Sequence, residues 1–172
     1  VPGASQFGAR DTAAIRSRLK LGSRPVMQTP ILQFGTSRFL QAHADLFVSD
    51  AMTRGAALGP ITVVQTTGSS ERSGRLAALA AADGFPVHIK GKKDGRVIDD
   101  IVRVTSVRRA LSALAQWDEV EGIFAGETKL AICNTADRGY DISQEAETLP
   151  GAVPASFPGK LTKLLLARFG RT

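Results

Sequence analysis

Between the apolar run Ile31-Leu32-Gln33-Phe34 and a stretch of helical spacing that begins at Phe39 lie Gly35, Thr36, Ser37 and Arg38. A glycine turn leading from a strand into a helix offers backbone amides and the positive end of a helix dipole to an anion, the chemistry of pyrophosphate binding. Against the pattern G-x-G-x-x-G the turn is incomplete. Gly35 fills the first position, but Ser37 and Leu40 stand at the second and third, and the Cβ of Ser37 hinders close backbone approach to a phosphate. The Ser37 hydroxyl and the Arg38 guanidinium are the groups that would compensate.

A second segment, Thr66-Thr67-Gly68-Ser69-Ser70-Glu71-Arg72, comes after the β-branched run Ile61-Thr62-Val63-Val64-Gln65. An acidic residue at the end of such a strand would bind ribose hydroxyls and favour NAD, and none is present up to Ser70. Ser69, Ser70 and Arg72 would instead receive a 2′-phosphate, whereas Glu71 beside them would serve NAD. Other reactive side chains are less organised. His43 shares a helical face with Phe39 and Phe47 and is expected to be a hydrogen-bonded core histidine. Cys133 at a strand end is expected to be buried, with no histidine near it in sequence to activate it. Two histidines and one cysteine at positions 43, 88 and 133 have no spacing typical of a zinc site, so no metal is expected. Lys160 in the first turn of a helix opposes the helix dipole, which points to a tether or an outside partner.

The elements that must position these groups are set by periodicity. Asp11 to Leu21 has helical spacing, with Asp11 or Thr12 as N-cap and Gly22 as its stop. Strands are expected at Ile31–Phe34, Ile61–Gln65 and Leu130–Cys133, and helices over 39–51, 71–82, 113–124 and 158–169. Phe85-Pro86-Val87-His88-Ile89 and Val97 to Val102 flank Asp94-Gly95, a strong hairpin signal. Strands alternating with helices imply an α/β, Rossmann-like, doubly wound and mainly parallel sheet, joined by right-handed crossovers and carrying an inserted antiparallel hairpin. Ligands of such sheets lie beyond the carboxyl ends of the strands, here the loops after Phe34, Gln65 and Cys133.

At the first of these loops the sequence resembles a known family. Ile31-Leu32-Gln33-Phe34-Gly35-Thr36-Ser37-Arg38-Phe39-Leu40-Gln41-Ala42-His43 is similar to the opening of the polyol-specific long-chain dehydrogenases, the group that contains mannitol dehydrogenase, fructuronate reductase and tagaturonate reductase. Their pattern reads approximately Q-F-G-x-G-x-F-x-R-A-H. Gln33, Phe34, Gly35, Phe39, Ala42 and His43 match it, while Ser37 replaces the second glycine and Gln41 the usual arginine. The hairpin around Lys90 to Arg103, Ser106-Val107, Trp117-Asp118, Cys133-Asn134-Thr135 and Phe157-Pro158-Gly159-Lys160-Leu161-Thr162 come in the order that tagaturonate reductase-like proteins show.

The resemblance covers about Pro30 to Gly170. It implies an N-terminal extension with a short helix over 1–29 and a dinucleotide-binding Rossmann-type domain over 30–172. It further implies that Gly35, Thr36, Ser37, Arg38 and Phe39 surround the pyrophosphate and that Asn134 and Thr135 contact the ribose and nicotinamide side. Thr66, Ser69 and Arg72 then fall at the adenosine ribose, and Asp137 is the nearest stand-in for the family's acidic residue, with Ala136 and Arg138 departing from the pattern. The implied cofactor is NAD, with NADP left open by the local chemistry. In the family a second, mainly helical domain supplies the catalytic lysine, asparagines and histidine, and this chain is expected to end before it. The expected function is therefore the nucleotide-binding part of an oxidoreductase that interconverts a polyol or sugar acid with its keto form, not catalytic alone and holding substrate only with that second domain. The alternative is a noncatalytic Rossmann-like interaction domain that has lost dinucleotide binding.

Composition supports a globular chain. The 172 residues are 43% hydrophobic and 22% charged, close to the average for folded domains. The longest apolar run, Leu76 to Ala82, is far shorter than the roughly 18 residues needed to cross a bilayer. A formal charge of +6 suits a phosphate-bearing partner, but the basic residues are scattered and only eight Phe, one Trp and one Tyr are present to stack on bases. Neither nucleic acid nor a membrane is an expected partner. A single cysteine and no signal-peptide pattern make cytoplasm the expected location.

Overall fold

The computed structural model describes residues 28–68, 73–143, 145 and 151–171. The helix expected over Asp11 to Leu21, together with Ser69, Ser70, Glu71 and Arg72, lies outside the described residues.

Two fully buried runs form the centre of a parallel sheet. They are β1 (Ile31–Phe34) and β2 (Ile61–Gln65), paired in register from Ile31 opposite Ile61 to Phe34 opposite Val64. Runs apolar on both faces are what a sheet covered on both sides requires. β1 leads through Gly35, Thr36 and Ser37 into a continuous helical rod made of α1 (Arg38–Leu40), a π-helical turn (Gln41–Asp45) and α2 (Leu46–Thr53). After β2 come α3 (Ser73–Leu79) and the hairpin of β3 (Phe85–Lys93) and β4 (Arg96–Val104). The hairpin turns at Asp94 (φ 51°) and Gly95 (φ 77°), the paired positive φ values that a two-residue type I′ turn needs.

The chain then returns to the sheet as β5 (Val107–Ser112), crosses α4 (Trp117–Gly126), and completes the sheet with β6 (Leu130–Cys133). A 3-10 turn (Asp137–Tyr140) and α5 (Phe157–Phe169) come last. The sheet order is β5-β2-β1-β6, all parallel. Counted without the hairpin, this is the 3-2-1-4 order of a doubly wound fold, and the order reverses between β1 and β6.

The two faces of the sheet carry separate cores. Leu32, Phe34, Val64 and Leu111 pack with Trp117, Val120, Ile123 and Phe124 of α4 and Leu164 of α5. Ile31, Ile61, Val63 and Val107 pack on the other side with Leu79 of α3 and with Phe85 and Val104 at the foot of the hairpin. An irregularity in the β2–β5 register between Ile61 and Thr62 moves Val107 and Leu111, four residues apart on one strand, onto opposite faces.

The structure departs from the sequence expectations in four places. A strand occupies Val107–Ser112, where none was expected, and its ladder continues to Ala113, whose amide donates to Gln65 O at 2.9 Å. The helix expected from Ala113 therefore starts at Trp117 instead. His43 is exposed rather than in the core. Its ring stacks on Phe39 at 4.3 Å, and Phe39 and Phe47 are themselves 57% and 63% exposed. The face of the rod that meets the sheet is carried by Leu40, Asp45 and Ser49, because Ser49 Oγ accepts from the Thr105 amide at 3.0 Å and Ser106 Oγ donates to Asp45 O at 2.7 Å. Cys133 is exposed rather than buried, since β6 is the last strand on its side of the described sheet.

Candidate functional site

The carboxyl ends of β1, β2 and β6 open on the same side of the molecule. At the end of β1, Gly35 has φ +104°, a conformation that side chains other than glycine rarely take. Its amide is not offered to a ligand: it donates to Val64 O at 2.8 Å and so extends the sheet by one rung. The helix start beyond it is open. Ser37 is the N-cap, with its Oγ accepting from the Leu40 amide at 3.2 Å. Arg38 and Phe39 are the first two helical residues, whose amides have no acceptor within a helix and meet none among the described residues. The residue that breaks the glycine pattern thus satisfies one orphan donor and leaves two without an acceptor among the described residues.

Two clefts meet at this turn. The larger, about 360 Å³, lies between β1 and β6 and is lined by Phe34, Gly35, Thr66 and Thr67 on one side and by Asn134, Thr135, Arg138, Ser156 and Lys160 on the other. The smaller, about 270 Å³, is lined by Gly35, Thr36, Ser37, Gln65, Thr66, Thr67 and Arg75. Gly35, Thr66 and Thr67 belong to both, so the clefts form one trough across the strand ends.

Of the residues singled out from sequence, Gly35, Thr36, Ser37, Thr66, Asn134 and Thr135 line this trough. Arg38 lies beside it, in a third cleft of about 280 Å³ shared with Arg75. The Phe39 ring turns away to stack on His43, so only its backbone faces the turn. Ser69 and Arg72 lie outside the described residues. Asp137 is exposed in the 3-10 turn and does not line the cleft, whereas Arg138 and Asp141 do.

Sequence reasoning missed Thr67, Arg75 and Arg138, which loops and helix starts bring in without any spacing signal. Lys160, read there as a tether or an outside contact, also lines the large cleft. Although on the first turn of α5, it is only 3% exposed. Its Nζ donates to Ala155 O at 2.6 Å, and burial pulls its pKa down while the Glu145 carboxylate pulls it up. Glu145 also accepts from the Ser156 amide, and Ser156 Oγ caps the Gly159 amide at 3.0 Å. The start of α5 is therefore filled by the chain's own acidic and hydroxyl groups, and Lys160 is the cation it turns toward the cleft.

Among the described residues, around the trough stand the two unbonded amides and Arg38 at the turn, Thr66 and Thr67 at the end of β2, and Asn134, Thr135, Arg138, Asp141 and Lys160 in the larger cleft, a lining of donors with one carboxylate. No cluster of three or more metal-ligating side chains occurs among the described residues, and no described helix is long and apolar enough to cross a membrane.

No family profile matches the chain. Individual proteins do. The altronate oxidoreductase of Bacteroides thetaiotaomicron is 30% identical over 151 residues, which cover 84% of this chain and 30% of that protein. The Bacillus subtilis altronate oxidoreductase is 27% identical over 141 residues, covering 81% and 28%. Among solved structures, the Pseudomonas fluorescens mannitol 2-dehydrogenase, determined as a ternary complex with NAD and D-mannitol, superposes with a TM-score of 0.67 at 19% identity over 85% of this chain and 32% of that one. A substrate-free D-sorbitol dehydrogenase gives 0.64 at 19% identity, over 84% and 32%. The chain spans about 30% of the length of the curated relatives it matches. In sequence and in fold it is a Rossmann-type domain related to the amino-terminal domain of the polyol-specific long-chain dehydrogenases, the group of mannitol dehydrogenase and the tagaturonate and fructuronate reductases.

Proposed function

We propose that residues 30–172 bind a nicotinamide dinucleotide and present it for hydride exchange with a polyol or sugar acid and its keto form. The observation that carries this reading is the trough that crosses the ends of β1, β2 and β6 where the strand order reverses. In this reading the pyrophosphate lies over Ser37, Arg38 and Phe39, held by the Arg38 and Phe39 amides and the Arg38 guanidinium. Thr36 and Thr66 flank it, and Gly35, by lacking a Cβ, leaves the trough open where its two lobes join. Asn134 and Thr135, at the end of β6, hold the ribose on the nicotinamide side, and Lys160 lies within that lobe. The cofactor, NAD or its 2′-phosphorylated form, would supply the hydride carrier.

Hydride transfer also needs an acid–base group placed at the substrate hydroxyl. In this proposal that group comes from the part of the relatives' length that this chain does not span, so the chain alone binds dinucleotide without turning over a sugar.

The test is titration calorimetry of the 172-residue chain with NAD and NADP, with 5′-ADP as competitor. Binding of either dinucleotide in the micromolar to millimolar range, weakened by 5′-ADP and by Arg38→Ala, is the expected result. Absence of heat with both would favour the second reading, a noncatalytic domain, to which the bonded Gly35 amide and the Cβ of Ser37 lend their weight.

A further inference from the structure

Arg75 is the side chain on which the small lobe of the trough and the adjoining third cleft converge. It lines the first with Gly35, Thr36, Ser37, Gln65, Thr66 and Thr67, and the second with Arg38 and Gln41. Among the described residues, no carboxylate lines either cleft. Both guanidiniums are exposed, and among the described residues neither takes part in an ion pair or a side-chain hydrogen bond. Arg54, Arg103 and Arg109, by contrast, are each paired with a carboxylate. Among the described residues, these two guanidiniums around one opening beside the end of β2 form a local positive field with no carboxylate to neutralise it.

Position decides what that field would bind. In a sheet of this order the dinucleotide crosses the turn after β1 with its adenosine ribose toward the end of β2, where a carboxylate binds a free 2′-hydroxyl and an arginine accommodates a 2′-phosphate. Here the strand ends in Gln65-Thr66-Thr67, neutral throughout, and the cations come from Arg38 on the preceding helix start and Arg75 on α3. A guanidinium donates two parallel hydrogen bonds to a phosphate, which suits Arg75 to a 2′-phosphate.

We infer that the adenosine end of this site selects a 2′-phosphorylated dinucleotide, NADP rather than NAD, with Arg75 as the specificity-determining residue, while Arg38 stays with the pyrophosphate and adds to the positive field. The inference rests on the dinucleotide reading and narrows it to one cofactor.

Calorimetry of the full 172-residue chain tests it with 2′,5′-ADP, 3′,5′-ADP and 5′-ADP, and then with NADP and NAD. The expected order is 2′,5′-ADP tighter than the other two by roughly tenfold or more, the scale of a charge-assisted hydrogen bond, with NADP ahead of NAD by a similar factor. Arg75→Ala should remove most of that preference, and Arg75→Glu should reverse it. Circular dichroism of both variants confirms that this exposed position has not cost the fold. Equal binding of 2′,5′-ADP and 3′,5′-ADP would reduce the field to unspecific attraction and overturn the inference. NAD binding as tightly as NADP would overturn it as well, and in either case the dinucleotide reading stands. If none of the nucleotides binds, the dinucleotide reading itself falls and the inference with it.

Discussion

Ser37 shows how one residue serves both structure and ligand. Its hydroxyl caps the helix start through the Leu40 amide, so its removal should be read first in stability. Replacing a serine N-cap with alanine costs about 1 kcal/mol, whereas glycine costs only a few tenths. Ser37→Ala should therefore lower the urea midpoint clearly and Ser37→Gly barely, while Ser37→Gly, by deleting the Cβ, should leave dinucleotide affinity equal or tighter. A glycine variant that destabilises as much as alanine would show that the cap is not what the hydroxyl supplies.

A second residue-level prediction concerns Asp45. It is fully buried in the π-helical turn, and neither carboxylate oxygen has a hydrogen-bond partner among the described residues; nor does Oε1 of the buried Gln33. Burial pushes its pKa from 3.8 up to about 7, opposed in part by the Gln33 side chain. A protonated Asp45 gains a donor, the group that Gln33 Oε1 lacks. Because the folded state holds its proton more tightly than the unfolded chain, this residue's stabilising contribution is complete below about pH 4. It declines as the pH rises toward 7 and stays lost above that, by a few kcal/mol in all. Asp45→Asn should flatten thermal stability across this window and raise the Tm at pH 8. A wild-type profile already flat between pH 4 and 7 would rule the assignment out.

At the scale of elements, the hairpin depends on one close approach. Gly84 precedes β3 with φ +73°, and a Cβ there would lie 2.1 Å from Val104 O, a backbone atom that is part of the hairpin's foot. Gly84→Ala should cost more than about 2 kcal/mol, from backbone strain and from the forced separation of Phe85 and Val104 from the second core. Chemical unfolding would show it; a change below about 0.5 kcal/mol would mean that the foot of the hairpin yields freely.

The elements that sequence made legible are those whose burial is written in a continuous apolar run. β1, β2 and β6 begin and end at the expected residues, and Asp94-Gly95 located the hairpin turn. β5 stayed hidden because Val107-Arg108-Arg109-Ala110-Leu111-Ser112 carries two arginines. Arg109 is tolerated on that strand only because Glu119 and Glu127 lie 3.3 and 3.6 Å away. The same kind of tertiary pairing misled the reading of the helical rod. Asp45 and Ser49 look like an outer face until Ser106 and Thr105 hydrogen-bond to them, and the aromatic stripe of Phe39, His43 and Phe47 looks like a core face until those polar residues take it. The site was half legible for a related reason. Turn chemistry marked Gly35 to Arg38, whereas Arg75, Arg138 and Lys160 reach the clefts through the path of the fold.

For the whole molecule, occupancy of the trough and global stability must be coupled. A ligand that binds only the folded chain stabilises it by RT ln(1 + [L]/Kd), about 2.7 kcal/mol at a hundredfold excess over Kd, or several degrees in Tm for a domain of this size. The trough joins β1, β2 and β6, the strands between the two cores, so their unfolding dismantles the site. Dinucleotide should therefore raise the Tm as a logarithmic function of its concentration, without splitting the transition. Salt separates this from general attraction to a chain of charge +6. A dinucleotide contacts few cations, so its stabilising effect should fall only modestly between 50 and 200 mM salt, whereas a polynucleotide held by many phosphate contacts would lose its effect by orders of magnitude in affinity. A Tm that responds to single-stranded DNA more than to dinucleotide, and collapses with salt, would move the function of this basic surface away from the trough.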